Sequence, residues 1–286
     1  MLCFHIGLPK TATTFLQWEV LPLLAGTTLV HKYQGDARAR KYLSTMKLHC
    51  RTGTRRTWLK RFWRSWPVRR RLRDPGGVLL SSENISMVPD AIWTGVGPGP
   101  AAITARLAAE AADLGVPARR VKILFGLRAQ APWLASRYAE SAKHNPDFDQ
   151  ADFARRIAAI ADGTAQGAPL GWLDYAHVYD ALADVFGAQN LLFLPIETVE
   201  TLSAAECVER IAAFLDVPRA PHAPAKRPAT QPAAARRNAL ARSQGVWRLK
   251  SGAGDIELTP AMTAAVAGRF AAANAGLRAR TGIALP

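Results

Sequence analysis

The sequence contains no hydrophobic run long enough to cross a membrane. No stretch approaches the roughly 18 consecutive apolar residues that a transmembrane helix requires. The amino terminus places His5 and Lys10 within a short apolar run, which is unlike a secretory signal peptide. These two absences predict a protein that stays in the cytoplasm.

Cysteine is also scarce. The 286 residues include only three cysteines, Cys3, Cys50 and Cys207, which are far apart and lack Cys-x-x-Cys or Cys/His spacing. Their spacing excludes a disulfide framework and a structural zinc site, and we expect each to be a small buried hydrophobe. With 49% hydrophobic and 21% charged residues, the composition is that of a folded protein with a sizeable core.

Acidic residues are outnumbered by basic ones. There are 22 Asp and Glu against 37 Lys and Arg, a net charge of +15. Ten of the basic residues, and no acidic residue, lie between positions 51 and 73. The excess selects for anionic partners, such as a nucleotide, an acidic glycan, nucleic acid or an anionic membrane.

The segment 51–73 also carries tryptophans, and its role has four interpretations. Trp58, Phe62 and Trp66 recur at helical spacing, with Trp63 beside them. The segment either grips a polyanionic or sugar acceptor, lies on an anionic membrane, or binds nucleic acid. The fourth interpretation is an amphipathic helix whose aromatic side chains pack on the core while its arginines stay solvated.

Strand-like and helix-like patterns alternate along the chain. Apolar runs at 2–6, 78–80, 121–127 and 191–194 predict strands, with helical patterns near 101–114, 131–143, 151–162, 173–186 and 203–215. This alternation predicts an α/β fold with a mostly parallel central sheet and helices on both faces.

The domain organisation follows from a change in composition near residue 216. Residues 1–215 are predicted to form an α/β core in which 51–73 is an insertion. Five prolines between 218 and 232 predict an extended connection, and a helix is expected over 260–280. We expect residues 216–286 to complete the same domain.

The loop after the first strand, residues 7–14 with the sequence GLPKTATT, has the composition of an anion site. A loop that leaves a strand and enters a helix offers free backbone N–H groups and the positive end of a helix dipole. It is not a Walker A motif, because Gly-Lys does not stand next to Ser or Thr. An ordinary helix cap at Thr11 or Thr13, with an incidental lysine, is the alternative.

Residues 9–16, PKTATTFL, resemble the 5′-phosphosulfate loop of sulfotransferases that use 3′-phosphoadenosine 5′-phosphosulfate (PAPS), a pattern close to PK[ST]GTT[WF]L. Ala12 replaces the glycine that this family commonly has. The resemblance implies a P-loop-like three-layer fold and PAPS as sulfuryl donor, with no metal required. It assigns the phosphosulfate to Lys10, Thr11, Ala12, Thr13 and Thr14.

A second motif of that family is an arginine at a strand end followed by a serine eight residues later on a helix. Arg128 follows the predicted strand 121–127, and Ser136 has the required spacing. The resemblance implies that Arg128 and Ser136 hold the 3′-phosphate of the nucleotide. Residues 190–199 and 212–217 resemble a scaffold stretch of bacterial sulfotransferases, so the likeness extends over roughly 2–217.

The resemblance implies in-line transfer of a sulfuryl group to a hydroxyl or amine. Lys10 is the expected cation on the leaving oxygen, and Glu83, after the strand 78–80, is the expected base. The alternative for Glu83 or Ser82 is a cap on the following turn. His5 competes as a base, although its place inside the first strand is typical of a packed core histidine.

Likeness to bacterial carbohydrate-modifying sulfotransferases implies a glycan or glycolipid acceptor, and Arg236 and Arg237 are weaker candidates to close over the nucleotide. Two other functions stay open. One is a non-catalytic protein that binds nucleic acid or an anionic membrane through 51–73. The other is a P-loop nucleotide kinase, against which the missing Gly-Lys-Ser/Thr argues. The oligomeric state is not indicated by the sequence.

Overall fold

A computed structural model describes residues 1–55, 57–87, 90–220 and 245–286. Most of the predicted proline-rich connection, together with Arg236 and Arg237, lies outside these residues, as does the side chain of Trp58. Among the described helices, none is long and apolar enough to span a membrane.

A five-stranded parallel sheet forms the centre of the fold, with the strand order β2-β3-β1-β4-β5. Its strands are β1 (Leu2–Gly7), β2 (Thr28–Val30), β3 (Val78–Ser81), β4 (Val121–Leu127) and β5 (Leu191–Pro195). The predicted parallel α/β fold is therefore confirmed, with four of the five strands at the predicted positions.

Helices surround this sheet. They are α1 (Thr13–Phe15, continued by a π-helical turn, Leu16–Val20), α2 (Ala37–Thr52), α3 (Trp58–Arg71), α4 (Ala91–Thr94), α5 (Pro100–Asp113), α6 (Gln130–Ser141), α7 (Gln150–Ala161), α8 (Tyr175–Phe186), α9 (Ile196–Thr201), α10 (Ala204–Leu215) and α11 (Pro260–Thr281). A short antiparallel hairpin, β6 (Val246–Arg248) and β7 (Asp255–Glu257), precedes α11.

Two hydrophobic cores lie on the two faces of the sheet because successive side chains of a strand point to opposite faces. From β1, Phe4 and Ile6 join the larger core, whereas Cys3 joins the smaller one. Every residue of β1 is buried, which explains its nearly continuous apolar sequence. All three cysteines are free and buried, as predicted.

The strand β2 and the helix α2 were not predicted. β2 has only three residues, too few for a pattern to show. Basic residues are spread along α2 and obscure its apolar face in the sequence. Asp36 caps the helix by accepting hydrogen bonds from the amides of Arg38 and Ala39, at 3.0 Å each. Burial of Tyr42 and Met46 then fixes it against the sheet.

The helix α3 reverses the amphipathic interpretation of segment 51–73. Trp63 and Trp66 are 65% and 50% exposed, and Ser65 and Val68 form the buried side. Some arginines of α3 point inward instead, whereas Arg70 and Arg71 stay exposed. Arg61 pairs with Asp113, and Arg64 donates to Thr45 Oγ1 at 2.8 Å. Trp63 and Trp66 stay outside because α2 and α5 offer oxygen acceptors to the arginines on the opposite side of α3.

The carboxyl-terminal helix α11 occupies the predicted position. It buries Val266 and Leu277, and Arg280 pairs with Asp180 of α8 at 2.7 Å. The amides of Gln130 and Asn274 exchange hydrogen bonds of 2.8 and 3.2 Å. α11 therefore packs beside α6, although the division of the chain at residue 216 stays a prediction.

Candidate active site

The loop between β1 and α1 begins where the backbones of β1 and β4 are in close contact. Gly7 has φ +136°, and a Cβ placed there would lie 2.3 Å from the carbonyl oxygen of Gly126. The amide of Leu8 donates to that same oxygen at 2.9 Å, and the amide of Gly7 donates to Ser86 Oγ at 3.1 Å. Glycine is thus required at position 7 both for its conformation and for space.

Within the loop the backbone alternates in handedness. Lys10 and Ala12 have φ +68° and +60°, and Thr11 between them is not in the left-handed region. In proteins, alternation of this kind turns successive N–H groups toward one side, a conformation suited to binding an anion. Ala12 adopts a conformation for which glycine is best suited, so alanine at this position carries backbone strain.

Two side chains fix the backbone of the loop by donating hydrogen bonds to its carbonyl groups. Thr11, which is buried, donates through Oγ1 to the carbonyl of Leu8 at 2.6 Å. Trp133 of α6 donates through Nε1 to the carbonyl of Pro9 at 2.7 Å. The residue before α1 is Ala12, with no side-chain cap, so neither Thr11 nor Thr13 serves as an ordinary helix cap. Thr14 is exposed, whereas Thr13 is buried.

Lys10 is held by an ion pair with α6. Its Nζ lies 2.8 Å from Glu140 Oε2, and Lys143 Nζ lies 2.9 Å from Glu140 Oε1. Although burial acts in the opposite direction, the two ammonium groups lower the pKa of Glu140 from 4.5 to about 2. The ammonium of Lys10 is therefore directed toward α6 and is partly neutralised by Glu140.

Arg128 lies at the carboxyl end of β4, and Ser136 lies on α6, the helix that follows. Arg128 directly follows β4, and its carbonyl accepts a hydrogen bond from the hydroxyl of Tyr175. Ser136 is on α6, three residues after Trp133 and four before Glu140, and this spacing places it on the side that contacts the loop. Glu197 supports the strand end by accepting from the amide of Ala129 at 3.0 Å.

Glu83 lies on the other side of the loop. It begins a 3₁₀ turn (Glu83–Ile85) directly after β3, the neighbour of β1 on the side opposite β4. Ser82 makes no capping hydrogen bond through its side chain, and Glu83 is partly exposed. The loop is thus flanked by Glu83 on the β3 side and by Arg128 on the β4 side.

Two charged residues near the loop were missed by sequence reasoning, Glu140 and Arg137. Arg137 is buried, and the charges of Glu140, Asp90 and Glu83 act on its guanidinium. Burial is the stronger effect and lowers the pKa of Arg137. The signal available in the sequence was the spacing 133, 137, 140 on one face of α6. The guanidinium of Arg137 therefore interacts electrostatically with both Glu83 and Glu140.

His5 is a core histidine, as expected from its place in β1. It is 1% exposed, and its Nδ1 lies 2.7 Å from Ser81 Oγ, to which Gln17 Nε2 also donates at 2.8 Å. Burial, with a smaller effect from His31, lowers the pKa of His5 to about 4. Among the residues that the structure describes, no three His, Cys, Asp or Glu side chains could hold a metal ion.

Comparison with known proteins identifies a similar fold. A sulfotransferase from Alicyclobacillus acidocaldarius matches with a TM-score of 0.53 and 15% sequence identity, over 99% of this chain and 96% of that one. No protein-family model and no curated protein sequence matches the chain. At this identity the likeness concerns the fold, and it supports the P-loop-like α/β arrangement inferred from the sequence.

Proposed function

We propose that this protein is a PAPS-dependent sulfotransferase. The observation that carries the proposal is the loop of alternating handedness, which contains Lys10 and is flanked by Glu83 and by Arg128 at the carboxyl ends of β3 and β4. Sulfuryl transfer needs an anion cradle, a cation and a base in one place. The fold likeness to a sulfotransferase supports this combination.

In this proposal the loop holds the donor. The free backbone N–H groups of Thr11, Ala12, Thr13 and Thr14 bind the 5′-phosphosulfate, and the exposed hydroxyl of Thr14 adds a donor. Arg128 and Ser136 bind the 3′-phosphate, for which a guanidinium is well suited. No metal is assigned a role.

The proposed reaction is a single in-line displacement. The acceptor oxygen attacks sulfur as its proton passes to the Glu83 carboxylate, and the bond from sulfur to the 5′-phosphate oxygen breaks. Lys10 neutralises the negative charge that develops on this leaving oxygen. The products are the sulfated acceptor, 3′-phosphoadenosine 5′-phosphate (PAP) and a proton that Glu83 releases to water.

Calorimetry tests the donor site. PAP should bind much more tightly than AMP, because only PAP carries the 3′-phosphate. Arg128→Ala should remove most of that preference, whereas Arg120→Ala, an exposed arginine at the opposite end of β4, should preserve it. Equal affinity for PAP and AMP in the wild type would contradict the assignment. ATP-dependent phosphoryl transfer with magnesium would instead support the kinase.

Two variants separate the catalytic roles. Glu83→Gln should leave PAP affinity nearly unchanged and lower turnover by about 10² or more, as expected for the loss of a general base. Lys10→Ala should lower both the affinity for PAP and the turnover, because the ammonium contacts the bound phosphate in the ground state and the leaving oxygen in the transition state. Asp147→Asn, an exposed carboxylate, is the matched control. Near-normal turnover of Glu83→Gln would place the base elsewhere.

The acceptor in this proposal is a hydroxyl of a glycan or glycolipid, following the sequence resemblance. Radiolabelled PAPS offered with sugars, glycolipids and simple phenols tests this choice. Transfer to sugars or glycolipids is expected, and exclusive transfer to phenols would contradict it.

We propose also that α3 contacts an anionic membrane surface, which would bring the enzyme to a glycolipid. Trp63, Trp66 and Arg70 are exposed at positions i, i+3 and i+7, and thus on one face. Lys60 and Arg73, also exposed, lie near this face. Indoles prefer the bilayer interface, and arginines are attracted to anionic headgroups. Binding to nucleic-acid phosphates would need only the basic residues, so it would not explain why Trp63 and Trp66 are exposed on α3.

Vesicle co-sedimentation tests the membrane contact. Binding to vesicles of phosphatidylcholine and phosphatidylglycerol should exceed binding to phosphatidylcholine alone and fall as salt rises. Trp63→Ser with Trp66→Ser should lower it by about tenfold. Val96→Ser, which changes an apolar side chain 71% exposed elsewhere, is the control. Unchanged vesicle binding by the double variant would refute the proposed role of α3. Duplex DNA binding is measured in parallel, and a double variant that loses DNA binding but keeps vesicle binding would assign α3 to nucleic acid instead.

A further inference from the structure

A cluster of three cations lies beside Glu83 and has no part in holding the donor. Lys47 and Arg51 are one helical turn apart on the same face of α2, which packs against the turn that begins with Glu83. Lys32 follows β2, the strand paired with β3 in the register Val30 to Leu80. Lys32 and Glu83 therefore stand just past the ends of two neighbouring strands.

The positive charges in this cluster act on one another. Lys47 is only partly exposed, and its pKa is lowered by burial and then by Arg51 and Lys32, against the opposing effect of Glu83. Burial lowers the pKa of Arg51 as well. Within the described ranges, none of the three cations forms an ion pair with a carboxylate. Like charges one turn apart destabilise a helix, so the arrangement costs stability in the absence of an anion.

An aromatic surface adjoins this cluster. The rings of Trp18 and Tyr33 lie 6.1 Å apart, each close to His31, and Tyr33 is 59% exposed. Lys32 Nζ lies 4.9 Å from the centre of the Tyr33 ring. Aromatic rings suit the apolar face of a sugar ring, so the rings of Trp18 and Tyr33 place a sugar-compatible surface next to cations that have no carboxylate partner among the described residues.

We infer that the acceptor of this enzyme is an acidic sugar whose anionic group binds Lys32, Lys47 and Arg51 while its hydroxyl reaches Glu83. The inference rests on the proposed sulfotransferase function and narrows its substrate class from glycans in general to sugars bearing a carboxylate or similar anion. The cluster compensates the acceptor's charge, and the carboxylate of Glu83 stays available for the hydroxyl proton.

A pair of matched monosaccharides tests the inference. Methyl β-glucoside and methyl β-glucuronide differ only at C6, where the hydroxymethyl group of the glucoside is a carboxylate in the glucuronide, so transfer is compared at the ring hydroxyls that both share. Monosaccharides avoid the general attraction of a +15 chain for polyanions. Saturation-transfer NMR on the full chain, with and without PAP, measures binding, and labelled PAPS measures transfer. The glucuronide should bind, and be sulfated, about tenfold better than the glucoside.

The variant Lys47→Gln should remove most of that difference by weakening the glucuronide alone, with PAP affinity unchanged. Lys41→Gln, an exposed lysine on another face of α2, should behave as wild type. Equal binding of the two sugars, or equal losses for both in Lys47→Gln, would overturn the inference even if PAP binds. Failure to bind PAP, with selective glucuronide binding retained, would instead refute the donor assignment and leave the acidic-sugar site standing.

Discussion

Substitution of Glu140 tests together the stability of the fold and the proposed binding of the donor by Lys10. It bridges Lys10 in the loop and Lys143 in the turn that follows α6. Glu140→Gln removes the negative charge and keeps the size of the side chain. The variant should be less stable, because two favourable pairs are lost, and should bind PAP more tightly, because Lys10 is released toward the nucleotide.

The magnitude follows from the pKa. A decrease from 4.5 to about 2 corresponds to an upper limit of about 3 kcal/mol. The side chain of Glu140 is 20% exposed and those of Lys10 and Lys143 are 38% and 40% exposed, so solvent screens both pairs. We therefore expect a loss of about 1 to 2 kcal/mol in the free energy of unfolding, and a gain in PAP affinity of about two- to fivefold.

The pH dependence provides an internal check. Because the folded-state pKa of Glu140 is depressed, its contribution to stability is complete above pH 4.5 and is lost as the pH falls toward 2. The difference in stability between wild type and Glu140→Gln should therefore be constant from pH 5 upward and close near pH 2.

Urea denaturation at several pH values and calorimetry with PAP are the assays. Glu209→Gln, which removes an exposed pair with Arg219, should change stability by less than about 0.5 kcal/mol and leave PAP affinity unchanged. Weaker PAP binding by Glu140→Gln would refute the reasoning, since Glu140 would then be holding Lys10 in its binding position.

Three further predictions concern the loop and β1. Ala12→Gly should raise the free energy of unfolding by about 0.5 to 1 kcal/mol, because glycine accepts φ +60° without strain, and a lower thermal midpoint would contradict this. Gly7→Ala should cost more than about 3 kcal/mol, because its Cβ would meet the backbone of Gly126, whereas Gly254→Ala, also at positive φ but with open space, should cost far less in the same urea titration. His5 has a pKa lowered to about 4, so stability should be highest above pH 6.5 and decline as the pH falls toward 4. His5→Asn should flatten that decline, and an unchanged slope between pH 6.5 and 4.5 would show that other groups cause it.

Local patterns in the sequence were sufficient for four of the five strands and for the parallel sheet, because runs buried on both faces are continuous and apolar, as in β1 and β4. The position of the loop between β1 and α1 could also be predicted from the sequence, because the turn-like residues 7–10 separate an apolar run from a helical pattern. β2 and α2 were missed because their burial depends on neighbours distant in the chain rather than on their own composition.

What only the tertiary structure decided is which charges meet. The pairing of Lys10 with Glu140 joins residues 130 positions apart, and the neighbourhood of Lys32, Lys47 and Glu83 arises from strand order and the docking of α2. The outward face of Trp63 and Trp66 depends likewise on acceptors that α2 and α5 present to the arginines of α3. Sequence patterns report the period of a helix or strand, but the electrostatic partner of a side chain is set by packing between elements, which no local period encodes.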